Sequence, residues 1–236
     1  MSIAVLTTDT PHHAHFVRAL HDGCGAVTVF CETGASPRAP FETHHPFEDA
    51  RDAHEWDLWF GGRQTSVADL APTQAFASIN NADAVEALRR AAPDWVIVFG
   101  TGMIKQPMLE VCGERIFNLH GGDPESYRGL DTHMWAVWHR DFDGLVTTLH
   151  HVDTGLDTGA IVAQEQVSLR PGMKLHELRA ANTEACIRLT LDLATRIGVA
   201  PGRAQTRKGR YYSAMPAVLK GLCVNRFEKF TAGLPS

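Results

Sequence analysis

Two stretches of this 236-residue chain carry side chains able to act on a carbonyl group. They are Phe117-Asn118-Leu119-His120-Gly121-Gly122 and His150-His151-Val152-Asp153-Thr154-Gly155-Leu156-Asp157-Thr158-Gly159. Together they supply one amide, several imidazoles and two carboxylates, on segments that read as strand ends running into glycine-bearing loops. Asn118 and His120 lie two positions apart, so on an extended strand they point the same way. From there they can grip one developing oxyanion, with a carboxylate of the second stretch completing the site. That is equipment for acyl-group chemistry. Each member also has a plainer reading: Asn118 and His120 as a strand-end pair capped by backbone, and Asp157 as a turn former. Taken together, with room for a substrate made by Gly121 and Gly122, they favour chemistry.

The elements that must position these residues follow from apolar patterning. Ile3–Leu6, Ala26–Cys31 and Trp95–Phe99 read as buried strands, Ala75–Ser78 as a further one, and Arg115–Leu119 as the strand carrying Asn118. Helices are expected over His13–His21, Glu48–Phe60, Asp131–Trp138 and Ala82–Ala91, the last begun at Asn80 or Asn81 with Arg89 and Arg90 in its final turn. Val146–His151 and Gly159–Val167 read as an antiparallel pair joined by Val152–Thr158. Leucines and alanines at helical spacing make Met173–Arg196 one long amphipathic helix. A last helix is expected from Pro216 to Phe227. Strand and helix alternating through the first half predict an α/β fold: a Rossmann-like, mostly parallel sheet with flanking helices and a short C-terminal appendage. Glu32–Glu48, with three prolines and a His-His pair, reads as a long surface loop.

Composition narrows the function classes. The chain is 44% hydrophobic and 21% charged, ordinary for a globular protein, and its net charge of −5 offers no bulk attraction to a polyanion. The best basic patch is short, Arg203 to Arg210, so nucleic acid is not an expected partner. Five cysteines without a CxxC pair argue against a disulfide framework or a thiolate zinc site. Met1–Leu6 lacks a basic n-region, and no apolar run reaches membrane-spanning length. A soluble, cytoplasmic protein with no membrane partner is therefore expected. Thirteen histidines invite a metal, but the pairs His12-His13, His44-His45 and His150-His151 place neighbours on opposite faces of a strand, and no HExxH occurs. No metal is expected. Gly100-Thr101-Gly102 lacks a third glycine before a helix and reads as a tight turn that lets a planar ligand approach, in preference to a dinucleotide loop.

With Asn118 and His120 followed by Tyr127-Arg128-Gly129 and then by Leu156-Asp157-Thr158-Gly159, the chain resembles the formyltransferases that use 10-formyltetrahydrofolate. That group spans glycinamide ribonucleotide, methionyl-tRNA and sugar-nucleotide formylation. Its pattern is Asn-x-His, a loop to Tyr-x-Gly or Tyr-Arg-Gly, a helix, a strand and a Leu-Asp-x-Gly loop. The resemblance covers roughly residues 1–200, implying a formyltransferase catalytic domain there and a short C-terminal extension over 201–236. It implies Asn118, His120 and Asp157 as catalytic residues. It implies 10-formyltetrahydrofolate as co-substrate, its pterin held by Phe99, Gly100, Thr101, Gly102, Met103 and Ile104 on one loop and by Val152, Asp153, Thr154 and Gly155 on the other. His150 matches a histidine of some members and joins Gly121, Gly122, Tyr127 and Arg128 as a residue expected to meet the acceptor.

In the expected reaction an amine attacks the formyl carbon. Asn118 and a protonated His120 stabilise the oxyanion, while Asp157 keeps His120 charged and relays a proton. Departures from the family bear on the acceptor. Thr7–His15 has no glycine-rich phosphate cradle, the chain beyond residue 200 is short for the basic barrel of the tRNA enzymes, and Gly121-Gly122-Asp123-Pro124 replaces the Pro-Ser common after the histidine. The expected acceptor is an amine on a small molecule, first a nucleotide-linked amino sugar, then another small amine such as a hydroxyornithine. Hydrolysis of 10-formyltetrahydrofolate and a non-catalytic folate- or nucleotide-binding module are the other classes. On the acceptor side, Tyr127 and Arg128 are expected on the pocket rim, Arg128 as a phosphate fork, with Trp135, Tyr211 and Tyr212 as candidate base walls. The oligomeric state is left open, a homodimer among the options.

Overall fold

Trp95–Phe99 consists of five apolar residues, all of them buried, and a strand apolar on both faces belongs inside a covered sheet. The computed structural model describes residues 1–34, 38–196 and 200–235 and places this strand at the centre. In chain order the elements are β1 (Ser2–Thr7), α1 (Pro11–Cys24), β2 (Ala26–Glu32), α2 (Phe47–Phe60), β3 (Thr73–Phe76), α3 (Ala82–Ala91), β4 (Trp95–Phe99) and α4 (Gln106–Cys112). There follow β5 (Ile116–Gly121), β6 (Tyr127–Gly129), α5 (Thr132–His139), β7 (Val146–His151), β8 (Ile161–Gln166), α6 (Leu178–Ala194), β9 (Arg210–Tyr212) and α7 (Ala217–Thr231).

Seven strands form one sheet in the order β3-β2-β1-β4-β5-β7-β8. The strands from β1 to β5 pair in parallel, β7 is antiparallel to β5, and β8 is antiparallel to β7. The strand order reverses between β1 and β4, so the loops leaving their carboxyl ends diverge and open a crevice. On one face α1 and α6 bury Phe16, Val17, Leu20, Cys186, Leu189 and Leu193. On the other, α3 and α4 bury Ala84, Leu88, Met108 and Cys112. Full burial of one such side chain contributes roughly 1.5–3 kcal/mol. A third cluster joins Ala136 and Val137 of α5 to Cys223 and Phe227 of α7, so the C-terminal segment shares a core with the rest of the chain.

The structure departs from these expectations in four places. The helix expected over Met173–Arg196 begins as a 3-10 turn, Leu175–Glu177, because the Glu177 carboxylate accepts the Lys174 N–H at 2.6 Å and tightens the entry. α6 then runs from Leu178 with buried residues around most of its girth, Asn182, Thr183 and Thr190 included, and so is not amphipathic. α4 was missed, although Pro107 at its start and the buried Met108 and Cys112 four residues apart are a readable signal. β6 and β9, three residues each, pair in parallel as a second small sheet that no local periodicity announces. Residues 35–37 of the Glu32–Glu48 loop lie outside the described residues. Among the described residues no helix is long and apolar enough to cross a membrane.

One buried cation ties the C-terminal segment to the body. Lys220 on α7 donates to both Glu48 oxygens on α2, at 3.1 and 3.2 Å, and lies 3.5 Å from Asp131 at the entry to α5. Lys220→Met leaves Asp131 without its cation and Glu48 with Arg51 alone, at 3.3 Å, and is expected to cost about 3 kcal/mol in urea unfolding. Arg89→Met, at the exposed pair with Glu86, should change stability by less than about 1 kcal/mol in the same assay.

Candidate active site

The register of β5 against β7 sets the site. Asn118 pairs directly with His150, and His120 with Thr148. Directly opposed residues of an antiparallel pair share a face with Cβ atoms about 5 Å apart. Asn118 Nδ2 accordingly meets His150 Nε2 at 3.2 Å. The loop between β7 and β8 turns back over this pair and delivers Asp157 in a left-handed backbone conformation, φ 52°. Its Oδ1 accepts from Asn118 Nδ2 at 3.5 Å and lies 3.7 Å from His150 Nε2. Its Oδ2 accepts the Gly129 N–H at 2.8 Å and lies 3.7 Å from His120 Nδ1. Asn118, His120, His150 and Asp157 thus form one cluster.

Hydrogen bonding assigns the imidazoles. His120 Nε2 lies 2.8 Å from the Tyr127 carbonyl, which can only accept, so Nε2 carries the proton. In a neutral ring Nδ1 is then bare and faces Asp157. His150 Nδ1 donates to the His151 carbonyl at 2.7 Å, leaving Nε2 to accept from Asn118. Burial lowers the His120 pKa from its ordinary value and outweighs the nearby Asp157 carboxylate, which raises it. Burial pushes the Asp157 carboxyl up, but the neighbouring His150 and His120 rings and the Gly129 N–H prevail and hold it down, at about 2. The resting site is therefore an ionised Asp157 beside a neutral His120. This corrects the expectation that Asp157 keeps His120 charged: desolvation of the ring is the larger effect.

The two loops assigned to the pterin lie beyond β4 and β7. Phe99 and Ile104 turn their side chains into the core, so neither side chain is exposed beside the loop. Gly102 N donates to Glu32 Oε2 at 2.8 Å; Asn80 Nδ2 donates to the Met103 carbonyl at 3.0 Å and Asn80 Oδ1 accepts the Lys105 N–H at 2.8 Å. Glu32 and Asn80 hold this loop, and the sequence reading missed both. The cap of α3 is Asn81, which leaves the Asn80 side chain to the loop. In the second loop Val152 packs on the cluster that contains Ile104. Asp153 Oδ1 accepts from Gly155 N at 2.9 Å and from Thr158 Oγ1 at 2.6 Å, closing the turn that includes Thr154.

The acceptor-side expectations fare differently. Arg128 is buried, its Nε donating to the Gly209 carbonyl at 2.8 Å and Nη1 to the Leu156 carbonyl at 3.1 Å. It is committed to holding loops and is not a rim fork for phosphate. Tyr127 is buried with its hydroxyl donating to Asp141 at 2.8 Å, so it too leaves the rim. Gly121 and Gly122 do not leave room: a Cβ on Gly121 would lie 3.3 Å from the His133 ring, and one on Gly122 3.2 Å from Thr132 and 3.3 Å from His120 Nε2. These glycines admit the start of α5 against the strand end. Trp135 donates to the Ser213 carbonyl, and Tyr212 packs on Tyr127 and Trp135. Tyr211 differs. It is 57% exposed and lies over Gly129, whose N–H donates to Asp157. His150 is brought into the cluster of Asn118, His120 and Asp157, buried, and not to an open surface. Among the described residues no group of three or more His, Cys, Asp or Glu side chains is arranged to hold a metal ion.

A family model described as formyl transferase matches residues 44–188, more than half of the chain. The fold is also that of several solved structures. A phosphoribosylglycinamide formyltransferase from Bacillus halodurans aligns with a TM-score of 0.57 at 18% identity, covering 84% of this chain and 97% of that one. The formyltransferase PseJ from Anoxybacillus kamchatkensis, solved with tetrahydrofolate and a UDP-linked formamido sugar, aligns with a TM-score of 0.52 at 18% identity, covering 90% of this chain and 86% of its own. A 4-N formyltransferase from Francisella tularensis aligns with a TM-score of 0.54 at 13% identity, covering 90% and 76%.

Gly100 offers a direct test of how the first loop is built. Its φ is +84°, and a Cβ there would overlap Nε2 of His13, a buried nitrogen without a hydrogen-bond partner among the described residues. Burial, with Arg179 adding to it, lowers the His13 pKa to about 3, so a neutral ring packs beneath the glycine. Gly100→Ala is expected to cost roughly 1–3 kcal/mol, from backbone strain and overlap together. A double-mutant cycle with His13→Ala, read by urea unfolding, should recover only the overlap and leave the strain.

Proposed function

The chain belongs to the formyl transferase family, and on that premise we propose that it moves a formyl group from 10-formyltetrahydrofolate to the amine of a nucleotide-linked amino sugar. The observation that carries the reading is the meeting of Asn118, His120 and Asp157 at the carboxyl end of β5, with distances of 3.5–3.7 Å to Asp157. In the reaction a neutral amine adds to the formyl carbon. The carbonyl π pair moves to oxygen, and Asn118 Nδ2 turns one N–H from its long contact with Asp157 to that oxygen. One such donor is worth about 3–4 kcal/mol in the transition state. The nitrogen, now cationic, gives up a proton to the bare Nδ1 of His120 or to Asp157, directly or through water. The oxyanion then re-forms its carbonyl, the bond to the folate nitrogen breaks, and that nitrogen takes the proton.

A nucleotide sugar needs a flat wall for its base, and the exposed face of Tyr211 beside Gly129 supports that choice. So does the likeness in fold to the Anoxybacillus and Francisella proteins. With Arg128 committed internally, the exposed Arg207, Lys208 and Arg210 next to Tyr211 are the proposed pyrophosphate partners. A cytoplasmic setting is proposed, which the five free cysteines support.

His120→Asn and Asp157→Asn should each lower kcat at least roughly a hundredfold with folate affinity nearly unchanged. A screen of amines with 10-formyltetrahydrofolate, read by tetrahydrofolate release, tests the reaction itself. Formate release without any amine would replace transfer by hydrolysis. Formylation of a hydroxyornithine, with no binding of UDP or dTDP at millimolar concentration, would replace the sugar. Tyr211→Ala should raise KM for the nucleotide sugar about tenfold, since a base on an aromatic face gains about 1–3 kcal/mol.

The acid limb of the rate profile follows from the lowered His120 pKa. A ring that must accept a proton works only when neutral. Activity should therefore be full at neutral pH and be lost as pH falls through a value below the ordinary 6.5. In His120→Asn that limb should vanish from the residual rate, whereas any limb due to the acceptor amine remains. Activity that rises on acidification would instead require the charged ring.

A further inference from the structure

The chain between Arg203 and Tyr212 crosses the catalytic loops as a strap. It enters as a backbone pair with β8, Arg203 N donating to the Ile161 carbonyl and Ile161 N to the Arg203 carbonyl, both at 2.8 Å. The buried Glu125 then anchors it, accepting from Arg203 Nη2 at 2.7 Å and from the Thr206 hydroxyl at 2.8 Å. Beyond, Gly209 N donates to the Pro124 carbonyl, Arg210 N to the Ser126 carbonyl, and β9 pairs with β6. Between the two anchors lies Gln205. Its Nε2 donates to the Asp157 and Gly159 carbonyls, both at 2.9 Å. Two carbonyls as partners leave no alternative to the amide nitrogen, and both of its hydrogens are used.

We propose that Gln205 is a positioning residue for the reaction, holding the backbone of Asp157 in the left-handed conformation from which its carboxylate meets Gly129, Asn118 and His120. The role rests on the formyl-transfer reading given above. An aspartate at φ 52° occupies a sparsely populated region and persists only where its surroundings over-determine it. Gly159, two residues on, can carry no side chain because a Cβ would run into the His151 carbonyl. The Leu156–Gly159 turn is thus pinned at three carbonyls, Leu156 by Arg128 and the other two by Gln205. A turn freed at Asp157 can relax toward negative φ, and the carboxylate swings out of reach of His120 Nδ1. Gln205 touches no reacting atom. It acts through Asp157.

The experiment uses the full chain with Gln205→Ala, Gln205→Glu, Asp157→Asn and the Asp157→Asn/Gln205→Ala double variant. Gln205→Ala should lower kcat about tenfold to a hundredfold, the scale expected when a catalytic group is misplaced by an ångström. Its KM for the folate should stay within about twofold. Added to Asp157→Asn, it should cost nothing more, because two changes acting through one group are not additive. Gln205→Glu turns a carboxylate toward two carbonyls and should be worse than alanine at neutral pH. It should recover relative to wild type as pH falls toward about 4.3, where the protonated acid donates again. Hydrogen exchange over residues 156–160 should quicken in Gln205→Ala. A lower Tm with unchanged kcat, or a loss that multiplies that of Asp157→Asn, would overturn the proposal and leave Gln205 a fold contact only. Should the wild-type chain transfer no formyl group, the reading beneath the proposal fails. The exchange measurement still decides whether Gln205 holds the turn, and unchanged exchange at 156–160 overturns that as well.

Discussion

A carboxylate placed where water barely reaches constrains everything around it. Asp157 is 8% exposed, and an ionised group so buried persists only with partners for its oxygens. Its donors are Gly129 of β6 and Asn118 of β5, and the rings of His120 on β5 and His150 on β7 close around it at 3.7 Å. Meeting the carboxylate requires the antiparallel turn of β7 against an otherwise parallel group of strands, because only that pairing sets His150 opposite Asn118. It also requires β6 to lie across the loop, and β6 is held there by β9. A sheet parallel throughout would place a crossover helix where the second loop now stands.

The parts of this arrangement that could be read from sequence are those with local causes. The apolar run Trp95–Phe99, the strand Val146–His151 and the cap and charge pattern of Ala82–Ala91 recur in the structure at the expected residues. The convergence of Asn118, His120 and Asp157 was legible as well, from two-residue spacing on one strand and a glycine-flanked aspartate on the next loop. Contacts between distant segments were not legible. Gln205 lies 48 residues from Asp157 in a segment whose charge suggested a basic patch, and Glu32 reaches Gly102 across 70 residues. No periodicity or motif encodes either.

The misread residues share a physical reason. Arg128, Tyr127, Gly121 and Gly122 have types that suit a ligand: a fork of donors, an aromatic hydroxyl, side-chain-free backbone. The same properties suit a crowded interior crossing. A buried guanidinium can satisfy two carbonyls of different loops at once, as Arg128 does for Gly209 and Leu156. Glycine lets a helix start approach a strand end, as at Gly121 and His133. Side-chain chemistry alone does not separate these uses. Burial separates them, and burial is a property of the whole fold.

The commitments within the cluster also limit how it can act. The tight hydrogen bonds, 2.7–2.8 Å from His150 Nδ1, His120 Nε2 and Gly129 N, fix the frame. The long contacts, 3.5–3.7 Å and all to Asp157, are weak enough to give up. In the proposed reaction a substrate oxygen enters by exchange, taking an N–H from Asn118 that the carboxylate held loosely, while the rings stay oriented. That exchange leaves Asp157 with one partner fewer at the moment a cationic nitrogen forms nearby, and an under-satisfied carboxylate attracts a proton more strongly than a satisfied one. On that proposal oxyanion stabilisation and proton removal are linked through a single buried charge, and the frame that holds its backbone bears on both.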